Sequence, residues 1–165
     1  MEQEELERII RELTEAGAKP QLCDTRIPLD ENPVRAGIPS ELGNLPVEEG
    51  IYVPRNLLSS SPTIAISVKG DSMVDIGIDD GDRAVISLEK MPRSGDVVVA
   101  MLGRDFTVKS FFEDDDGSHW LVPNNAEKTD VYKPIRLDDS DDVRIFGVVE
   151  QVIKVQPRTS NRKMR

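Results

Sequence analysis

After Ile51 the chain breaks into short β-type runs, and this texture limits its fold more than any other feature. The runs cover 64–68, 83–87, 96–102, 106–112, 120–123 and 143–155. Gly81-Asp82 and Gly95-Asp96 are turn signals between them, and Gly103-Arg104-Asp105 sits where a hairpin loop would join two strands. Nothing past residue 50 carries the period of a long helix. The expected class is mainly β: a compact, strongly coiled, mostly antiparallel β domain.

Ahead of it lies a different texture. Leu6, Ile9, Ile10 and Leu13 fall at helical spacing, so residues 2–16 predict one short amphipathic helix, with Gly17 as its stop. Glu2, Glu4, Glu5 and Glu7 stand at the end of the helix dipole that favours negative charge. One such helix cannot bury its stripe alone, so it docks on the main domain or on a partner. From Lys19 to about Gly50 no period survives. Pro20, Pro28, Pro33, Pro39 and Pro46, with Gly37, Gly43 and Gly50 among them, predict an extended arm with little regular structure.

Charge and composition narrow the function classes. The 165 residues carry 38% apolar and 32% charged side chains, enough for one domain with a real core. No run approaches the roughly 20 apolar residues of a membrane span, and the acidic N-terminus has no secretory apolar region. The expectation is a cytoplasmic protein without a membrane partner. A single cysteine, Cys23, cannot form an internal disulfide, and with one histidine, His119, it makes no metal cluster. A net charge of −10 disfavours phosphate contacts, so no direct sequence-specific DNA binding is expected. Arg158, Arg162, Lys163 and Arg165 form a short basic tail. It reads as a disordered, solubilising terminus, with a weak contact to nucleic acid or an acidic partner as the alternative.

Two residues carry chemistry. Ser72 lies in the turn Gly70-Asp71-Ser72-Met73, directly after one β-type run, and Lys109 lies inside another. A hydroxyl at a strand end and an amine on a neighbouring strand are the parts of a serine–lysine nucleophile pair. Gly-Asp-Ser alone is weak evidence, because turns select these residues for backbone reasons. Lys109 either faces solvent or lies on a partly buried face; Phe111, on the same parity, tilts that face inward. Burial is what the chemistry needs: a free lysine titrates near about 10.4 and is charged at neutral pH, whereas desolvation yields a neutral amine able to deprotonate a hydroxyl. Backbone N–H groups of Ser72 and Met73 are natural donors to the developing oxyanion. His119 reads as a surface residue. Asp71, Asp75, Asp79, Asp80 and Asp82 lack the spacing of a calcium loop and read as an acidic, solvated loop. No cofactor or metal is expected.

The residues 67–82, Ser-Val-Lys-Gly-Asp-Ser-Met-Val-Asp-Ile-Gly-Ile-Asp-Asp-Gly-Asp, resemble the active-site segment of the LexA/UmuD family of self-cleaving serine peptidases. The segments at 95–100, 106–109, 122–125 and 145–149 resemble its later strands, in order. The resemblance implies the LexA/signal-peptidase type of β domain, Ser72 as nucleophile, Lys109 as general base, and Ala36-Gly37 as the scissile bond. With that cut it implies an arm over 1–36 cut off by self-cleavage, a peptidase domain over 37–157 and a basic tail over 158–165. Physical chemistry agrees with that bond: an arm rich in Pro and Gly can enter a groove as an extended strand, and glycine permits close approach. Within the family the chain looks more like UmuD, because an acidic 36-residue segment with one helix cannot build a helix-turn-helix domain. That branch implies a homodimer of the SOS response to DNA damage. Stimulation comes from the RecA–single-stranded DNA filament, and the product is an accessory subunit of a Y-family error-prone DNA polymerase. The alternatives are a non-catalytic or repressor-like regulator of the same fold, and a signal-peptidase relative cutting in trans, which would need a membrane anchor.

Overall fold

In the computed structural model, residues 1–24, 48–52, 63–139 and 141–154 are described, with backbone alone at 24 and 48–52. The Ala36-Gly37 bond and the basic tail lie outside the described residues. The chain opens with helix α1 (Gln3–Glu15), followed by strands β1 (Gln21–Asp24), β2 (Glu48–Tyr52), β3 (Thr63–Ser67) and β4 (Arg83–Ser87). It continues through β5 (Val97–Leu102), β6 (Asp105–Glu113), β7 (His119–Val122), β8 (Ile135–Arg136) and β9 (Val143–Ile153). Among the described residues these nine strands form one sheet in the order β2-β1-β3-β4-β9-β5-β6-β7-β8. The class is mainly β with a helix at the N-terminus, as the sequence leads one to expect. Every described pairing is antiparallel except β1 with β2.

Two register shifts bend β9 as it crosses between β4 and β5. Extra residues of this kind sharpen local twist and let a long strand coil. Gly147 stands at the closest approach: a Cβ built there would lie 2.6 Å from the Ser87 carbonyl oxygen. Where β5 meets β6, Leu102 pairs with Asp105 and a two-residue loop closes the hairpin. Gly103 takes its first position at φ 62°, the place a type II′ turn reserves for glycine.

Helix α1 lies on the sheet rather than on a partner. Ile9, Ile10 and Leu13 are buried in one cluster with Ile64, Ile66, Ile86, Val99, Met101 and Val108. Gly17 ends the helix with φ 77°. Its N–H donates to Thr14 O and the Ala18 N–H donates to Leu13 O, the paired bonds of a Schellman motif. A helix of 13 residues is marginal alone, so its order comes from this burial. The Ser67 N–H donates to Ala18 O at 2.7 Å, and Lys69 Nζ donates to Ala16 O at 3.1 Å, which ties the helix end to the strand that leads to Ser72.

The irregular arm is where the sequence reading needs correction. Residues 21–24 form β1, an interior strand between β2 and β3, and 48–52 form β2. Gln21-Leu22-Cys23-Asp24 is too short to display a period and is preceded by Pro20. Its strand state comes from main-chain pairing on both sides, which composition does not report. The two-residue β8 escaped notice for the same reason.

Candidate active site

Lys109 and Ser72 meet. Lys109 Nζ lies 2.7 Å from Ser72 Oγ, and both residues are 7% exposed. The meeting follows from topology. Strand β3 delivers the chain into the turn at 70–73, and Lys109 stands at mid-length on β6, paired to Val98 of β5. Met73 is the anchor of the turn: it is 1% exposed and belongs to the main core, so the residue after Ser72 is pinned by burial.

The Lys109 amine has two further neighbours, Thr107 Oγ1 at 2.5 Å and Val108 O at 3.1 Å. Phe111, sharing its parity, is likewise buried, which settles the question the sequence left open. Burial pushes the Lys109 amine down from 10.5 to about 8. By contrast burial pushes the Cys23 thiol up to about 12, which leaves it inert as a nucleophile.

A second turn clamps the serine turn. The Asn124 N–H donates to Ser72 O at 2.7 Å, and Asn125 Nδ2 donates to Asp71 O at 2.8 Å. The Asp75 N–H donates to Asn124 O at 2.9 Å, while Asn124 Nδ2 donates to Ser110 Oγ at 2.8 Å. These bonds engage the Asp71 and Ser72 carbonyls. Among the described residues neither the Ser72 nor the Met73 N–H is given to a protein acceptor. Sequence reasoning singled out Asn124 and Asn125 only as part of a resembling segment; their clamping role has no signal in composition, because it depends on which two turns the sheet brings together.

Other sequence readings fare unevenly. His119 is a surface residue as read, stacked on Phe111 with ring centroids 5.5 Å apart and Nδ1 3.3 Å from an Asp138 oxygen. The acidic loop is exposed at Asp75, Asp79 and Asp80, as read, and departs from that reading at Asp82. Asp82 is 4% exposed, and its carboxylate accepts both the Asp79 N–H and Lys154 Nζ, the latter at 2.6 Å. Among the described residues no group of three or more His, Cys, Asp or Glu is placed to hold a metal ion. No helix among them is long and apolar enough to cross a membrane.

Known proteins resemble the chain over most of its length. It is 44% identical over 103 residues to a LexA repressor of Leptospira biflexa serovar Patoc (strain Patoc 1 / Ames), covering 62% of this chain and 48% of that protein. It is 35% identical over 138 residues to a LexA repressor of Acidothermus cellulolyticus, covering 77% and 46%. A LexA repressor of Streptomyces coelicolor is 36% identical over 108 residues, covering 66% and 43%. The chain thus spans about half the length of these curated relatives. Their names correct the expectation of no direct sequence-specific DNA binding: they are repressors, and a whole-chain charge of −10 averages over segments without governing what any one segment contacts. The names give no support to a homodimer, a RecA filament or a polymerase as partners. The Peptidase S24-like family matches residues 28–150. On that match the chain belongs to the Peptidase S24-like family, within the LexA/UmuD superfamily.

Proposed function

We propose that the chain is a self-cleaving serine endopeptidase whose nucleophile is Ser72, whose general base is Lys109 and whose substrate is its own Ala36-Gly37 bond. The observation that carries this is the 2.7 Å approach of Lys109 Nζ to Ser72 Oγ in a buried setting. A neutral amine there has two hydrogens for Thr107 Oγ1 and Val108 O, and its lone pair is left facing the serine hydroxyl. Ser72 gives its proton to Nζ as Oγ bonds to the Ala36 carbonyl carbon. The oxyanion is received by the Ser72 and Met73 N–H groups. The C–N bond then breaks, Nζ returns the proton to the Gly37 amine, and Ala36 is left as an acyl ester on Ser72. Water, deprotonated by Lys109, hydrolyses the ester and restores both residues.

Reach does not oppose the scheme. Ala36 lies twelve residue steps beyond Asp24, the last of β1; a chain of that length spans up to about 40 Å when extended. The domain consequence is an N-terminal piece over 1–36 and a β domain over 37–157, with a tail over 158–165.

The output of such a cut divides two ways. A repressor-type regulator of the DNA-damage response takes support from the names of the relatives. An accessory role in translesion synthesis is what a UmuD-like member of the resembled family would imply. The experiment comes in two layers. Purified protein held at mildly alkaline pH is expected to split between Ala36 and Gly37 by intact mass, while Ser72→Ala and Lys109→Ala stay whole with unchanged circular dichroism. In cells, Ser72→Ala is expected to hold target genes off after DNA damage if the output is repression. Unchanged transcription with lost damage-induced mutagenesis would instead support the accessory role.

A further inference from the structure

A residue the sequence did not single out stands beside the amine. Lys109 Nζ lies over the ring of Tyr132, 5.8 Å from its centroid. Tyr132 is half-buried, and its hydroxyl donates to Asp71 Oδ1, the residue directly before Ser72. The other Asp71 oxygen accepts Lys128 Nζ, and the Tyr132 N–H donates to Lys128 O at 2.9 Å. The segment 128–132 is therefore laced to the serine turn through one carboxylate, and the lacing places an aromatic face against the lysine. Gly70, at φ 79°, passes beside it: a Cβ there would be in ordinary contact, 3.7 Å from the Tyr132 hydroxyl.

The geometry points to Tyr132 as a positioning residue for the Ser72–Lys109 pair: anchored by Asp71, its ring forms the wall that keeps water from the amine. This rests on the peptidase reading for its purpose, though not for its test. The ring acts in two opposite directions. As a π face it favours the ammonium; as an apolar wall it disfavours it. Burial is the cause that holds the Lys109 amine below its ordinary value, and the Tyr132 ring, lying against Nζ, is part of what buries it. The groups around the amine are Ser72, Thr107 and Tyr132, with Asp71 and Lys128 one step behind and paired to each other. No carboxylate contacts Nζ among the described residues.

The test reads the titration of Lys109 directly, by NMR of its side chain in the Ser72→Ala protein, which needs no cleavage. Tyr132→Ala is expected to raise the midpoint by about one pH unit, and Tyr132→Phe, which keeps the ring, to hold it near the parent value. Asp71→Asn, which loosens the anchor, falls between them. In cleavage-competent protein the Tyr132→Ala change appears as a roughly fivefold slower cut at pH 8 that recovers near pH 10.5. A midpoint that Tyr132→Ala leaves unmoved overturns the inference, as does one that moves equally with Tyr132→Phe. A parent chain that never cleaves counts against the peptidase reading and leaves the titration result standing.

Discussion

At the residue scale the main tension is a lysine amine held in a place that opposes its charge. Lys109 titrates at about 8 in the fold, against an ordinary value of 10.5, because burial strips water from the ammonium. The linkage has a definite sign. Between pH 8 and 10.5 the unfolded chain binds the proton that the folded chain has released, so stability gained from this group rises with pH across that window. Below the window the folded state carries a constant penalty of up to about 3 kcal/mol. Lys109→Met is therefore expected to be more stable than the parent at pH 7, with the gap closing toward pH 10.5 in thermal denaturation. A gap that does not depend on pH would contradict this. The identity of both residues was legible in the sequence, since a turn serine after one β run and a lysine inside another are visible as such. The distance between them was not, because it depends on how β3 and β6 are placed across the sheet. Thr107, Tyr132 and the clamping pair Asn124 and Asn125 were illegible for the same reason: each is an ordinary polar or aromatic residue whose meaning lies in what it faces.

At the element scale the strands that announced themselves are those with long alternating or apolar runs. The expected run at 83–87 coincides with β4, and those at 64–68, 96–102 and 106–112 fall within a residue or two of β3, β5 and β6. Burial of a whole side-chain row writes a pattern that can be read. Strands β1 and β8, of four and two residues, are too short to write one, and β2 pairs through its main chain with β1. The long β9 shows another limit. Its two register shifts leave the apolar content intact, so the run was visible while its bend was not. Gly147 marks that bend, where the backbone of β4 leaves no space for a Cβ. Gly147→Ala is expected to cost about 1–3 kcal/mol by forcing β4 and β9 apart, measured as a lowered midpoint in chemical denaturation. A neutral substitution would show that the strands separate freely there.

At the scale of the whole molecule, the N-terminal segment belongs to the core of the domain that follows. Ile9, Ile10, Leu13, Ala18 and Leu22 are all buried in the main cluster, and β1 is hydrogen-bonded on both edges. A cut after Ala36 would place α1 and β1 on one product and β2 and β3 on the other. The products are thus expected to remain joined without a covalent link: two species on a denaturing gel, one peak in native size-exclusion chromatography. Loss of the smaller product under native conditions would show that the packing does not hold it. On this view cleavage breaks the covalent link while α1 and β1 stay in place.

The central claim is that a neutral Lys109 amine activates Ser72, and the pH dependence of self-cleavage tests it most directly. First-order rates for the parent protein, followed by intact mass from pH 6 to about pH 10.5, are expected to rise through a single protonation with a midpoint near the Lys109 value of about 8, then level off. Ser72→Ala and Lys109→Ala are expected to be inert at every pH. A rate independent of pH, or one that survives in Lys109→Ala, would contradict the account.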